Sequence, residues 1–486
     1  MASLEEIRQE RLHKLEILKE RGVNSYPAKT LRDYSLSEII SKFSELEANQ
    51  TVVHLAGRIM SIRGQGAIIF ITIFDGTESF QVFFKRDEMD ESAFKLFGET
   101  ADVGDFIGVG GTLFTSSRGG KTLKVVDWTM LAKSLRPLPE KWHGLQDEEE
   151  RLRRRYLDIL TNEEVRMMVE KRSKFWQTIR EFLLTRNFLE VDTPILENTA
   201  GGAEAKPFTT HHNALDLDVY LRISPELWLK RLMVAGLPKV FEIGRVFRNE
   251  GMDTEHAQDY VHMEFYWAYA DYEMGMNLIE ELYKEIAEKV FGTTQFNIKG
   301  FKIDLNKDWE RYDYAATIKD KTGVDISTTT LKEIEVKLGE LGVDYDHKGF
   351  NLNRAIDNLW KYCRKQIAGP GFLVNVPVMM EPLAKRQSNN PDFVERFQVI
   401  LAGSELGKGF SELNDPIDQA GRFSDQTKLR EAGDEEAQMF DQDFVEALEY
   451  GMPPTCGFGV SERLFSFFMD KPIREAQIFP LMKPKE

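Results

Sequence analysis

Three groups of residues in this chain have the types and spacing for chemistry. The first lies in Val240 to Tyr272, VFEIGRVFRNEGMDTEHAQDYVHMEFYWAYADY. Phe241, Ile243 and Phe247 fall on one face of a period-two repeat, with Arg248 and Glu250 on the other beside Glu242 and Val246. Further on, Met263, Phe265, Trp267 and Tyr269 alternate with His262, Glu264 and Tyr266. The spacing predicts an antiparallel strand pair whose polar face carries Arg, Glu, His and Tyr. Its connection, Gly251 to Asp259, is too long and polar for a tight turn. A half-exposed sheet with a solvated polar face fits the same alternation. The second group is Glu405 and Glu412 in GSELGKGFSELNDP. Their odd spacing puts them on opposite faces of an unbroken strand, unless Gly407 or Gly409 supplies a bulge that unites them. Two exposed glutamates are the plain alternative. The third group is CGFGVSERLFSFF, where glycines let a strand approach a ligand. Arg463 stands there in the first turn of a helix, whose N-terminus favours anions. There is no nucleophile elbow and no Walker A loop.

The elements that must position these groups follow from texture. Ser3 to Arg21 reads as a charged amphipathic helix with Leu4, Ile7, Arg11, Leu15 and Leu18 near one stripe. A packing arm is expected, although Arg8, Arg11, Lys14 and Lys19 also offer an RNA contact. Five short strands with glycine-marked turns, from Thr51 to Leu131, predict a small Greek-key barrel of the OB type. Phe70, Phe83 and Phe84 cannot all be surface platforms in it. SLRPLPEKWHGLQDEEE, Ser134 to Glu150, reads as a linker, followed by the basic run RLRRRY. A long helix is expected over Glu164 to Arg186, leading into FLEVDTPIL. AGGAEAKP is a glycine-bearing loop, and residues 305–390 read as an inserted helical piece. The expected domains are an arm (1–50), the barrel (51–133), a linker (134–160) and a catalytic domain (161–486).

At 486 residues the chain should hold two or three domains. Its net charge of -17 excludes nucleic-acid binding by bulk positive charge, so any such contact must use local patches. Two cysteines, Cys363 and Cys456, allow neither a disulfide framework nor a cysteine zinc site, which suggests a reducing compartment, the cytoplasm. The longest apolar run, AIIFITIF, is too short to span a bilayer, and no membrane association is expected.

FRNEG followed by MEFYWAYADY resembles motif 2 of class II aminoacyl-tRNA synthetases, in the form carried by class II lysyl-tRNA synthetases. THHNALDLDVYLRISPELWLKRL, FSELNDP and GMPPTCGFGVSERL resemble the same family, and the resemblance covers nearly the whole chain. It implies an α+β protein, with an N-terminal OB-fold that binds the anticodon and a mainly antiparallel catalytic sheet flanked by helices. The implied reaction joins L-lysine to tRNA(Lys) with ATP, in a homodimer built by the motif 1-like helix and the strand before Pro194. Activation needs alignment and charge neutralisation, because the amino-acid carboxylate is already ionised.

The resemblance also implies roles. Arg248 bridges the amino-acid carboxylate and the α-phosphate. Glu250, His256 and Tyr260 contact ATP, with Tyr260 stacking on adenine where the family usually has Phe. Arg463 covers the other adenine face and reaches the γ-phosphate. Glu405 and Glu412 bind Mg²⁺, and Glu405 serves ATP. Gly202 and Glu264 hold the backbone groups of lysine, Glu264 through the α-ammonium. Glu226, Glu412 and Tyr266 surround the ε-ammonium, with Phe410 in the same pocket. Phe70, Gln81 and Asp127 take the U-rich anticodon, where the family more often has Glu at the last. The chain departs from the pattern at Gln398 (usually a third metal-site Glu), Lys408 (usually Asn), Glu255 and Ala257 (usually R-H-N around His256). Gln398 and Lys408 both make the site less attractive to an extra metal ion, unless Lys408 merely points to solvent. An aspartyl- or asparaginyl-type enzyme, or a nucleic-acid-binding protein with an inactive synthetase-like domain, are the alternatives.

Overall fold

A computed structural model describes residues 3–64, 66–117, 119–139, 145–251, 253–345 and 350–485. Outside them lie 1–2 of the expected arm, 65 and 118 of the barrel, 140–144 of the linker, 252 of the motif 2-like loop, 346–349 of the helical insertion and 486. The chain forms two compact units, Met1–Arg151 with Tyr156–Thr161, and Leu152–Arg155 with Asn162–Glu486.

In the first unit, a helix over Leu4–Glu20 starts at Ser3, whose side chain and Glu6 cap each other's backbone N–H. Arg11, Leu15 and Leu18 are buried, whereas Leu4 is exposed. The Arg11 guanidinium donates to the carbonyls of Val103, Ser134 and Arg136, and Lys14 pairs with Asp102 at 2.8 Å. Two of the four cations offered for RNA are thus occupied by packing. Five strands, Val52–Arg63, Ile68–Phe74, Ser79–Lys85, Phe106–Thr115 and Lys121–Ala132, close into a barrel. Ile71, Ile73, Val82 and Phe84 fill its interior. Phe70, Gln81 and Phe83 alternate with these residues and face outward, half-buried. Helices over Leu36–Ala48 and Glu91–Thr100 also pack on the barrel core.

The second unit is built on an eight-stranded sheet. Its order is Glu310–Asp313, Gly371–Val374, Arg396–Leu401, Ser404–Ser411, Thr455–Ser461, Asp259–Ala268, Lys239–Phe247 and Leu189–Glu190. All neighbours are antiparallel except the outermost pair at each end. The clean alternation expected for the first motif 2-like strand is absent. Val240, Phe241, Glu242 and Val246 are all buried, because both faces of the sheet are covered. Glu242 survives burial by pairing with Arg222 at 2.5 Å and accepting from Thr193. Gly244 leaves room for that arginine, since a Cβ there would lie 2.2 Å from Arg222 Nη2. The long helix spans Glu163–Leu184 with Val165, Met168, Phe175, Ile179 and Phe182 buried. The insertion contributes helices over Tyr314–Thr322, Leu331–Glu340 and Leu352–Arg364.

Candidate active site

A cavity of about 680 Å³ opens over the middle of this sheet. Its floor includes Gly457 and Gly459 on strand Thr455–Ser461. A Cβ at 457 would lie 2.0 Å from Glu412 Oε1 and 2.6 Å from the Tyr266 ring, and one at 459 would lie 2.9 Å from His262 Nε2. Glycine is required at both because polar side chains cross directly over the strand. Glu405 and Glu412 reach the same cavity through a bulge. Leu406 and Gly407 together oppose Val399, and Gly407 has a φ of +101°. Gly409 has another role: its missing Cβ makes room for the Phe397 ring.

One end of the cavity is acidic. Glu226 and Glu412 are buried and both line it. Lys230, one turn along helix Glu226–Val234, sits behind them, wholly enclosed. Its Nζ is 2.6 Å from Glu226 Oε1 and also pairs with Glu412. The rings of Phe410 and Phe444 face the same ammonium at 5.3 and 5.9 Å. Burial pushes the Glu226 carboxyl up to about 7 against the pull of Lys230. Burial raises Glu412 further still, and the neighbouring Glu226 adds to it. Burial would lower Lys230, yet the two carboxylates hold it above its ordinary value. Glu264 lies beside them, accepting from Ser224 Oγ at 2.6 Å and Tyr266 OH at 2.9 Å, with His262 Nε2 at 3.2 Å. Burial alone would raise its carboxyl, but these partners hold it below the usual range. The Tyr266 hydroxyl donates to Glu264, while the residue lines the cavity beside Glu226 and Glu412. Gly202 adjoins this group with a φ of +85°, and a Cβ there would lie 2.8 Å from the Glu226 side chain.

Arginines line the cavity elsewhere. The Arg248 guanidinium lies 5.7 Å from the centre of the Tyr260 ring, and both residues line the wall. Arg463 opens helix Arg463–Phe468. It is fixed by its neighbour Glu462, which is buried, pairs with Arg172 and accepts from Gln477 at 2.6 Å. Arg463 itself pairs with Glu255. Glu405 accepts from Trp360 Nε1 at 2.7 Å, with Arg364 at 3.7 Å.

Some expected residues stand apart. Among the described residues Glu250 and His256 do not line the cavity. The first motif 2-like strand ends at Phe247, so both lie on the loop beyond it. The His256 ring is held by Asp253 at 2.7 Å, and His256 lines a separate recess with Arg172, Arg245 and Phe479. Glu405 and Glu412 were expected to share Mg²⁺, but Glu412 is enclosed and claimed by Lys230 while Glu405 faces Trp360. Among the described residues no group of three or more His, Cys, Asp or Glu is arranged to hold a metal ion. Lys408 reaches neither Glu405 nor open solvent alone. It pairs with buried Glu381 at 2.9 Å, and Gln398 accepts from Arg396 at 2.6 Å. In the barrel, Phe70 packs on Phe83 at 4.8 Å between centroids. Asp127 is exposed on strand Lys121–Ala132, over Gly110.

Sequence reasoning placed His262 on the polar face without a role, and missed Lys230, Ser224 and a wall made by Asn351, Arg354, Asp357 and Lys361 of the insertion. Lys230 carried a signal: it falls on the buried stripe with Leu227 and Met233. The insertion wall had none, since its polar residues read as a solvated helix face.

Fold and site together define a class of protein: an OB barrel followed by an antiparallel synthetase-type sheet whose cavity holds an acidic pocket and, among other arginines, Arg248 and Arg463. The sequence model described as "tRNA synthetases class II (D, K and N)" matches residues 147–483, and that of the "OB-fold nucleic acid binding domain" matches 53–138. The chain belongs to the class II tRNA synthetase family of the D, K and N type. Within it, the chain is 44% identical to the lysine–tRNA ligase of Thermotoga maritima, over 99% of this chain and 97% of that one. It is 44% identical to the lysine–tRNA ligase of Carboxydothermus hydrogenoformans, over 99% of each, and 45% identical to that of Thermoanaerobacter pseudethanolicus, over 99% and 97%.

Proposed function

We infer that this chain is a lysine–tRNA ligase. It activates L-lysine with ATP and passes it to the 3′ end of tRNA(Lys). A carboxylate oxygen of lysine attacks the α-phosphorus, the bond to the β-phosphate breaks and pyrophosphate leaves with the electron pair. A terminal ribose hydroxyl of the tRNA then attacks the lysyl carbonyl, and AMP departs. Neither step needs a protein nucleophile.

The observation that carries the lysine assignment is the acidic end of the cavity. With both carboxyls ionised and Lys230 counted, Glu226 and Glu412 leave one negative charge, and among the described residues Glu412 Oε1 is buried without a hydrogen-bond partner. A ligand ammonium satisfies both the charge and the oxygen. Aspartate or asparagine would require a cationic or amide-reading pocket. Glu264 and Gly202 receive the backbone groups of lysine, and Phe410 flanks its side chain. Arg248 and Arg463 align and neutralise the carboxylate and phosphates, with adenine against Tyr260. Glu250 and His256 join the nucleotide only when their loop folds toward it.

Mg²⁺ on ATP keeps most of its water and uses one or two carboxylates beside phosphate oxygens. Glu405, which lines the cavity and is only partly covered, fits that need. Glu412 fits it poorly, because Lys230 already neutralises it. Bound there, the ion would withdraw charge from the phosphates.

Phe70 and Gln81 share an outward face of the barrel, which suits stacking with anticodon bases, and Asp127 adds an exposed acceptor. Homodimerisation is supported by Leu189, Ile195 and Leu196, exposed at and just after the edge strand of the sheet. No helix among the described residues is long and apolar enough to cross a membrane. The two cysteines are free and buried, in keeping with the cytoplasm. ATP–pyrophosphate exchange with each amino acid in turn tests the assignment: lysine alone should support it.

A further inference from the structure

Two cations close on one carboxylate beside the cavity. Glu255 gives Oε2 to the Arg463 guanidinium and Oε1 to Lys299 Nζ, the latter at 2.8 Å. Lys299 stands in the turn joining strands Gln295–Ile298 and Phe301–Asp304, and also donates to Ser404 Oγ at 3.0 Å. The three side chains and Ser404 border a recess of about 200 Å³. Arg463 lines both that recess and the main cavity, so the two adjoin at its side chain.

A guanidinium and an ammonium that each take one oxygen of the same anion make a phosphate-type seat. The anion now in it is tethered to a polar loop and carries a single charge. A terminal phosphate carries more charge and three oxygens, so it outcompetes the carboxylate when it arrives. Glu255 can then turn out to water with its loop.

We propose that Lys299 is a further nucleotide-binding residue, that it forms with Arg463 the seat of the terminal phosphate of ATP, and that Glu255 occupies this seat until the triphosphate displaces it. The proposal rests on the assignment of Arg463 to ATP made above. The exchange is non-covalent: one anion replaces another on the same two cations. Two consequences follow. The apparent affinity for ATP is reduced by the work of expelling Glu255. Pyrophosphate, which carries the same terminal phosphate, meets the same competitor.

The test is calorimetric titration of the full chain with Mg·ATP and with inorganic pyrophosphate, alongside KM values for ATP and lysine in exchange. The variants are Glu255→Gln, Lys299→Met, Lys299→Arg and Arg463→Met. Glu255→Gln should tighten ATP and pyrophosphate about three- to tenfold, and Lys299→Met should weaken both by a similar factor, the scale of one partly exposed charge contact. Lys299→Arg should restore most of that loss, and the lysine KM should stay within about twofold. ATP binding that is unchanged in Lys299→Met, or weakened in Glu255→Gln, overturns the proposal. ATP binding unchanged in Arg463→Met removes the seat altogether. A wild-type chain that binds ATP but shows no lysine-dependent exchange refutes the activity instead, and calorimetry still decides the seat.

Discussion

Replacing Glu226 by glutamine removes one charge from the acidic end and leaves its shape almost intact. In the unsubstituted chain Glu226 and Glu412 share Lys230, and once both carboxyls are ionised one negative charge is left for the incoming ammonium. In Glu226→Gln, Glu412 and Lys230 neutralise each other. The lysine ε-ammonium then enters a buried pocket of no net charge and loses a charge-assisted hydrogen bond. Breaking a buried, hydrogen-bonded charge pair costs about 2–5 kcal/mol, or about 30- to 4,000-fold in affinity. Glu226 is only 6% exposed, so solvent cannot screen the loss, and the upper half of that range is expected. The assay is exchange with lysine and ATP varied separately. The lysine KM should rise by at least about 300-fold while the ATP KM moves less than about threefold. A lysine KM within about tenfold of wild type would refute the charge count, and a parallel rise in the ATP KM would show general damage to the cavity.

Glu226 titrates near 7 in the folded chain against an ordinary 4.5, so folding takes up a proton between those values. Its contribution to stability therefore falls as pH rises through that window, whereas lysine binding, which needs the carboxylate, improves. The lysine KM should drop about tenfold from pH 6 to pH 8 in wild type and much less in Glu226→Gln; identical profiles would contradict this. Phe70→Ala and Gln81→Ala should impair aminoacylation of tRNA by about 1–3 kcal/mol per stacked base, with exchange nearly intact. Equal loss in both assays would mean that the two residues only hold the barrel together. Light scattering should give a dimer at micromolar concentration, and an active monomer would exclude the edge-strand interface. Gln398→Glu combined with Lys408→Asn should steepen the Mg²⁺ dependence of exchange by adding an anionic ligand and removing a fixed cation; superimposable curves would mean that neither departure affects the metal.

Much of the architecture was legible because it rests on local patterns. The barrel strands alternate with period two between glycine-marked turns, and the first helix announces itself through the stripe that includes Arg11, Leu15 and Leu18. The bulge at Gly407 was one of the readings the odd spacing of Glu405 and Glu412 left open, beside one at Gly409 or two exposed glutamates. The alternation of the first motif 2-like strand misled, because a strand covered on both faces buries its polar residues along with its apolar ones.

The site residues that escaped the sequence share a physical cause. A charged side chain reads as solvated unless its partner is visible nearby, and here the deciding partners are remote. Glu255 reads as an oddity in a surface loop until Arg463, 208 residues away, closes on it. Lys408 finds Glu381, 27 residues back on an irregular stretch. Lys230 is the instructive intermediate. Its pairing with Glu226 is local, an i, i+4 contact that any helix offers for a few tenths of a kcal/mol. What turns it into a buried charge triad is Glu412, brought by a strand from the far side of the insertion. A lysine on a buried stripe is unfavourable alone, and Glu226 already neutralises it; a second acid is needed only because the pocket must also receive a ligand ammonium. That acid, Glu412, has no local signal beside Lys230 in the sequence.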